Sequence, residues 1–409
     1  MIDIDRLTGE LEHLATFSDA AAPAVTRVVF TETDLAARAF IRKLCEEAGL
    51  GVRTDAVGNL FARWEGSDAS LAPIGTGSHI DAIPNAGKYD GTVGVLGGLE
   101  AIRALQKSGF RPRRAIDLLL FTSEEPTRFG IGCLGSRLLS GNLNAEAAAQ
   151  LTDRDGRTLD EIRSQAGFTG RLEDVALQPN HLAAFVELHI EQGPILEREA
   201  ISLGIVTDIA APASLSIVVH GEGGHAGGML MPDRHDALVA ASEIILATEK
   251  AALETKAIDT VATVGVCEVF PGAVNSVPSR VRLELDVRDI DESRRDGVLQ
   301  DIRQTADAIA TKRGVSVHHT LRNADAPAQC ASAIIAALEA SCIEQKCTSR
   351  RMVSRAYHDS LFMSRVAPTG MLFIPCRNGV SHRPDEYASP EHIEVGTRVL
   401  ADALARLAQ

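Results

Sequence analysis

Aromatic side chains are scarce in this sequence: 12 Phe, three Tyr and one Trp make up only 4% of it. Any core must therefore be built chiefly from Ala, Leu, Val and Ile. Cysteine pairing is missing too. The seven Cys (45, 133, 267, 330, 342, 347 and 376) are scattered, odd in number and never in CxxC spacing. That pattern fits buried or free thiols in a reducing compartment better than a disulfide framework, and most of these residues read as small hydrophobes. No apolar run reaches the length of a membrane span. The opening Met1-Ile-Asp-Ile-Asp-Arg6 is charged from the start, with no apolar stretch behind it, so no secretory leader is expected. The expectation is a cytoplasmic protein without a membrane partner. An excess of positive charge is also lacking: the net charge of −14 argues against a general nucleic-acid surface.

What is present is enough chain for more than one core. With 409 residues, two domains are the first expectation. Apolar positions at helical spacing run over 4–17 and 33–49, and extended stretches follow at 51–55, 59–64 and 73–78. A helix is expected from Thr92 to Lys107. Ala115-Ile-Asp-Leu-Leu-Leu-Phe-Thr122 is a nearly continuous apolar run, as expected of a strand covered on both faces, and 183–189 repeats the pattern. This alternation predicts an α/β unit with a mainly parallel sheet, in which ligands bind beyond the carboxyl ends of the strands. After Ala210-Ala-Pro-Ala-Ser214 the character changes. Strands at 214–220, 259–269, 280–288 and 315–321 and helices at 234–255 and 291–313 predict an inserted α+β sandwich. A helix at 330–345, a strand at 370–375 and a closing helix at 390–407 then resume the first pattern. The expected domains are 1–211 with 328–409, and an insertion, 212–327.

The chemistry-bearing residues gather at the predicted strand ends. Gly77-Ser-His79-Ile-Asp81 and Tyr89-Asp90-Gly91 follow one strand, Ser123-Glu124-Glu125 the next, and His189 with Gln192 the third; His382 follows the last. Taken singly, each His is more often a hydrogen-bonded structural residue, an adjacent Glu pair a solvated face, and Asp90-Gly91 a turn. Five N/O donors that all terminate apolar strands carry more weight. His79, Asp90, Glu125, His189 and His382 exceed one tetrahedral site and suit two divalent metals, with Asp90 the candidate bridge because a carboxylate has two oxygens to share. Asp81 is the candidate partner behind His79. Glu124 and Glu125 point to opposite sides of an extended backbone, so one can ligate while the other serves as general base. In the insertion, His225 sits in the glycine-rich Gly223-Gly-His-Ala-Gly227, Asn275 in Pro271-Gly-Ala-Val-Asn-Ser276, and Arg288 in Leu285-Asp-Val-Arg-Asp289. An Arg is a natural bidentate partner for a substrate carboxylate. Each of the three also has a structural reading: a loop His, a turn Asn, an Arg paired with Asp286 or Asp289.

Gly77-Ser-His-Ile-Asp81, Tyr89-Asp-Gly91, Ser123-Glu-Glu-Pro-Thr-Arg-Phe129, Glu187-Leu-His-Ile-Glu-Gln-Gly193, Gly224-His-Ala-Gly227 and Pro271-Gly-Ala-Val-Asn-Ser276 occur in the order of the amidase, hydantoinase/carbamoylase family. The chain resembles that family along essentially its whole length. The resemblance implies a di-metal amidohydrolase using two Zn or Mn ions. One would be held by His79, Asp90 and His189, the other by Asp90, Glu125 and His382, with Glu124 as base and His225 assisting the oxyanion. It further implies substrate roles for Gln192, Asn275 and Arg288, and a lid-like insertion that also mediates a homodimer. Family substrates are ureido acids: N-carbamoyl amino acids, allantoate, ureidoglycolate or β-ureidopropionate. Many carbamoylases carry Ser-Gly-Ala-Gly-His-Asp-Ala where this chain has Ser354-Arg-Ala-Tyr-His-Asp-Ser360. Tyr357 and Arg355 in place of two glycines should narrow the pocket around Tyr357 and His358. A small, polar ureido acid is therefore expected; the resemblance implies ureidoglycolate first, cleaved at its ureido C–N bond with release of ammonia and CO2. An N-carbamoyl-L-amino acid or allantoate is the alternative. A dipeptidase or aminoacylase is less favoured, because peptidase relatives typically place a carboxylate where His189 stands.

Overall fold

The computed structural model describes residues 1–409, and the chain forms two compact units. One comprises Met1–Thr207, Gln329–Ser354 and His358–Gln409; the other comprises Asp208–Ala328 with Arg355–Tyr357.

The first unit is built on a mixed sheet. Its centre holds four parallel strands in the order Ile116–Phe121, Ile74–His79, Ala184–Ile190 and Thr369–Ile374. Every residue of these four strands is buried, as expected of strands covered on both faces. Antiparallel pairs flank this centre. Gly51–Thr54 and Leu60–Trp64 form an antiparallel hairpin on one flank, and Leu203–Ile209 runs antiparallel to Thr369–Ile374 on the other. A connection as short as Asp55–Asn59 reverses the chain and cannot make a parallel crossover.

Helices cover the sheet. Ile4–Ala15 starts at Asp3, whose side chain accepts from Arg6 N–H, and it buries Leu7, Leu11 and Leu14 at helical spacing. Thr92–Lys107 lies against the strands along nearly its whole length. Glycine permits this approach: a Cβ on Gly94 would stand 2.4 Å from the Leu188 carbonyl oxygen. Strand register aligns the ends, with His79 opposite Phe121 and His189 opposite Phe373.

The second unit is a four-stranded antiparallel sheet ordered Val261–Phe270, Arg280–Asp289, Ala211–His220, Ser316–Ala324. Alternation sets its faces. Val281, Leu283, Leu285 and Val287 point inward with Ala213, Leu215, Ile217 and Val219, and pack with Ile244 and Ile302 from helices Ala237–Glu254 and Glu292–Arg313. Arg282, Glu284, Asp286 and Arg288 occupy the other face.

Candidate metal centre

Parallel strands deliver the candidate ligands to one edge of the first unit. His79 ends its strand, His189 stands one residue from the end of the next, and Glu124 and Glu125 lie just beyond Phe121. Asp90 is reached through a return loop that closes at Gly91, the N-cap of helix Thr92–Lys107. His382 comes from the segment between Thr369–Ile374 and the closing helix Pro390–Leu407.

Asp90 joins the arrangement. Its Oδ1 lies 3.1 Å from His189 Nε2 and 3.5 Å from His79 Nε2. Its Oδ2 lies 3.2 Å from His382 Nε2, which is in turn 3.3 Å from Glu125 Oε1. Two ligand groups, His79–Asp90–His189 and Asp90–Glu125–His382, therefore share one carboxylate, and within each group the donor atoms lie within 4.8 Å of one another. The tautomers suit ligation. His79 Nδ1 faces the Asp81 main-chain carbonyl at 3.1 Å, and His189 Nδ1 faces the Ile190 carbonyl at 2.9 Å. Each Nδ1 must donate there, so Nε2, which hydrogen-bonds Asp90 while protonated, becomes the lone-pair nitrogen once that proton is lost.

Electrostatics point the same way. Burial alone would lower the pKa of His79, yet Glu124, Asp81 and Asp90 carry it well above its ordinary value. Asp90, despite burial, is held well below the carboxylate range by hydrogen bonds from His189, His382 and His79. Burial and then Asp90 push Glu125 up to about 7. The bond to Asp90, opposed by burial and aided by Glu125, raises His382 to about 9. Glu124 rises well above its usual value through burial, with Glu125, Asp359 and Asp90 adding to the effect against His79. Packed carboxylates that the local imidazoles do not fully neutralise form a donor set whose charge a divalent cation satisfies. The residues present thus fit two metals.

Supporting contacts fix these side chains. The Asp81 carboxylate accepts from the Glu124 and Glu125 N–H groups at 3.1 and 3.0 Å, with its Oδ1 3.6 Å from His79 Nδ1. Its main work is thus to hold the Glu124-Glu125 turn; the tautomer of His79 is set by Asp81's own carbonyl. Arg27, wholly buried, donates to the Ile80 carbonyl at 2.6 Å and so holds the turn between His79 and Asp81. Glu386 Oε1 accepts from the N–H groups of Tyr89 and Asp90 at 2.8 and 3.1 Å, and Ser381 Oγ lies 2.9 Å from Asp90 Oδ2 and 2.8 Å from Glu386 Oε2. Sequence reasoning missed Glu386 and Ser381; their closeness to His382 was the one signal available. Gly91 is required by its surroundings: it has φ 66°, and a Cβ there would lie 2.5 Å from the His79 ring.

The expected substrate residues divide between the units. In the first, Gln192 Nε2 donates to Asp90 Oδ2 at 2.7 Å while its Oε1 is buried without a partner. His358 is 2% exposed and its ring lies 4.4 Å from that of His189, so it backs a candidate ligand from within the core. In the second, His225 and Asn275 meet on a short ribbon, where His225 pairs with Ser276 and Ala226 N–H donates to the Asn275 carbonyl at 2.9 Å; both are exposed. Arg288 reaches Asp286 Oδ1 at 2.7 Å and stacks over Tyr357 at 5.2 Å. Arg355 pairs with Asp259 at 2.6 Å.

Residues 75–406 match the model of the peptidase family M20/M25/M40. A ureidoglycolate hydrolase of Oryza sativa subsp. japonica is 51% identical over 411 residues, covering 99% of this chain and 85% of the rice protein. Among solved structures, the crystal structure of AtUAH in complex with glyoxylate superposes with a TM-score of 0.93 at 49% identity, covering 100% of this chain and 98% of that one. A hydantoinase/carbamoylase family amidase from Burkholderia multivorans does so with a TM-score of 0.89 at 35% identity, over 100% of this chain and 98% of its own.

Proposed function

Because this chain belongs to the peptidase family M20/M25/M40 and groups with the hydantoinase/carbamoylase amidases, we propose that it is a metal-dependent amidohydrolase that cleaves the ureido C–N bond of ureidoglycolate. The observation that carries the chemistry is Asp90, whose two oxygens face two separate ligand sets. Two divalent ions, Zn or Mn, would be held by His79, Asp90 and His189 and by Asp90, Glu125 and His382. When bound they polarise the scissile carbonyl and make water acidic enough to attack at neutral pH.

The protein's own residues do the rest. Glu124 lies near the ligands, its Oε2 3.8 Å from His79 Nε2, but belongs to neither group. It takes the attacking water's proton and returns it to the leaving nitrogen, for which its raised pKa suits it. His225 stabilises the developing oxyanion. Arg288 and Asn275 bind the substrate carboxylate, and Gln192 turns its unpartnered amide oxygen to a ureido N–H. Tyr357, stacked with Arg288, limits the length of the acid accepted.

The identity to the rice ureidoglycolate hydrolase supports that substrate. A homodimer through the second unit is supported by strand Val261–Phe270, which is hydrogen-bonded on one side only, and by Val239, Leu246 and Leu253, exposed at seven-residue spacing on helix Ala237–Glu254. No helix is long and apolar enough to cross a membrane, and seven cysteines outside any disulfide fit a reducing, cytoplasmic setting.

The experiment is ammonia release with manganese or zinc, measured across ureidoglycolate, allantoate and N-carbamoyl-L-amino acids. The highest kcat/KM is expected on ureidoglycolate. A clear preference for long apolar carbamoyl amino acids would overturn the substrate, and activity unchanged by chelation would overturn the chemistry.

A further inference from the structure

Cys133 is wholly buried, yet its backbone is left-handed, at φ 56° and ψ 35°. Glycine adopts that conformation freely, and any residue with a Cβ adopts it under strain, so a side chain kept there has a contact to make. The surrounding bonds define it. Cys133 N–H donates to the Glu124 main-chain carbonyl at 2.7 Å, and Leu134 and Gly135 donate to those of Ser123 and Thr122 at 2.9 and 2.8 Å. The chain is thereby folded back over the Glu124-Glu125 turn. This sets Cys133 Sγ 3.5 Å from Glu124 Oε1, a hydrogen bond in which the thiol donates. Burial and the nearby carboxylates of Glu124 and Asp359 keep that thiol protonated, well above the usual thiol range. It is the one hydrogen bond the Glu124 carboxylate receives, and the other oxygen, Oε2, is left turned toward His79.

We propose that Cys133 is a positioning residue for the hydrolysis: its S–H anchors Glu124 Oε1 so that Oε2 is presented in one orientation to the reacting water and the leaving nitrogen. This rests on the reading of Glu124 as the general base. A thiol suits the task because it is a weak donor that holds the carboxylate without acting as a competing ligand or acid at neutral pH. Without the anchor, Glu124 samples other rotamers and proton transfer suffers, while substrate binding, which does not involve Cys133, is unchanged.

The test uses the full-length, manganese-loaded protein with ureidoglycolate as the probe, and compares Cys133→Ala, Cys133→Gly, Cys133→Ser and Glu124→Gln. Glycine relieves the backbone strain, so Cys133→Gly keeps the comparison readable if Cys133→Ala folds poorly. Cys133→Ala and Cys133→Gly should lower kcat at least tenfold, toward the ~100-fold that a misplaced reacting group costs. KM should stay within about twofold and the metal content should equal that of the wild type. Cys133→Ser, which restores a donor, should recover kcat to within about threefold of the wild type. Full kcat in both the Ala and Gly variants, or a Ser variant no better than Ala, would overturn the positioning role. Glu124→Gln separates the two claims: if it retains kcat, the base assignment fails and the anchor with it; if it abolishes turnover while the Cys133 variants keep theirs, only the anchor fails.

Discussion

The two regions that carry chemistry are built in opposite ways. In the first unit, His79, Glu125 and His189 are buried at or just beyond the ends of parallel strands and Asp90 in the loop before helix Thr92–Lys107, and each is fixed by a main-chain or carboxylate contact. In the second, His225 lies exposed on a two-residue ribbon and Asn275 lies exposed just before its partner strand. Donors that must share a charge at fixed spacing need a rigid frame, since small displacements weaken metal binding steeply. Groups that meet a ligand only when it arrives can sit on adaptable loops. The contrast predicts that changes at the first unit's ligands and base act on metal and kcat, and changes at Arg288 and Asn275, the second unit's carboxylate-binding pair, on KM.

Four experiments sharpen that contrast, from the largest effect down. Glu124→Gln should lower kcat by about 10²–10⁴-fold with metal content unchanged, the range expected on losing a general base. Loss of metal instead would make Glu124 a ligand. Gly91→Ala should weaken metal binding by about 10–100-fold, the effect of disturbing the groups that orient ligands, because its Cβ would enter the space of the His79 ring. Titration with a competing chelator measures it. Metal affinity should climb with pH. His382, held up to about 9, and Glu125, held up to about 7, must both shed protons on binding. The rise should be roughly tenfold per pH unit for each proton displaced, with Glu125 ceasing to contribute above about pH 7 and His382 above about pH 9, while His79, also held above its ordinary value, adds to the rise. Calorimetry in buffers of different ionisation enthalpy counts those protons. Arg288→Lys should raise KM by about tenfold through loss of bidentate geometry, with kcat and metal content nearly unchanged. A kcat effect equal to that of Glu124→Gln would erase the distinction between the units.

Much of this was legible in the residues themselves. Runs such as Ile116–Phe121 and Ala184–Ile190 announce strands covered on both faces, and the polar residues after them are where an α/β sheet places its ligands. The alternation along Arg280–Asp289 marks an exposed antiparallel sheet equally well. Strands Leu203–Ile209 and Ser349–Ser354 carried no comparable signal, and the antiparallel flanks of the central sheet depend on pairings that periodicity does not encode. The supporting contacts were hidden for a plainer reason. Glu386 holds the backbone of Tyr89 and Asp90 across 297 and 296 positions, and Cys133 reaches Glu124 only because three main-chain bonds fold the loop back. Local pattern says nothing of such meetings, and a cysteine in a scattered set reads as filler until its neighbour is known.

The most direct test of the shared carboxylate is a metal count by plasma mass spectrometry on manganese-reconstituted wild type, His382→Ala and Asp90→Ala. If Asp90 bridges two ligand sets, the wild type holds two ions per chain, His382→Ala about one and Asp90→Ala essentially none. Two tightly held ions in either variant would contradict it.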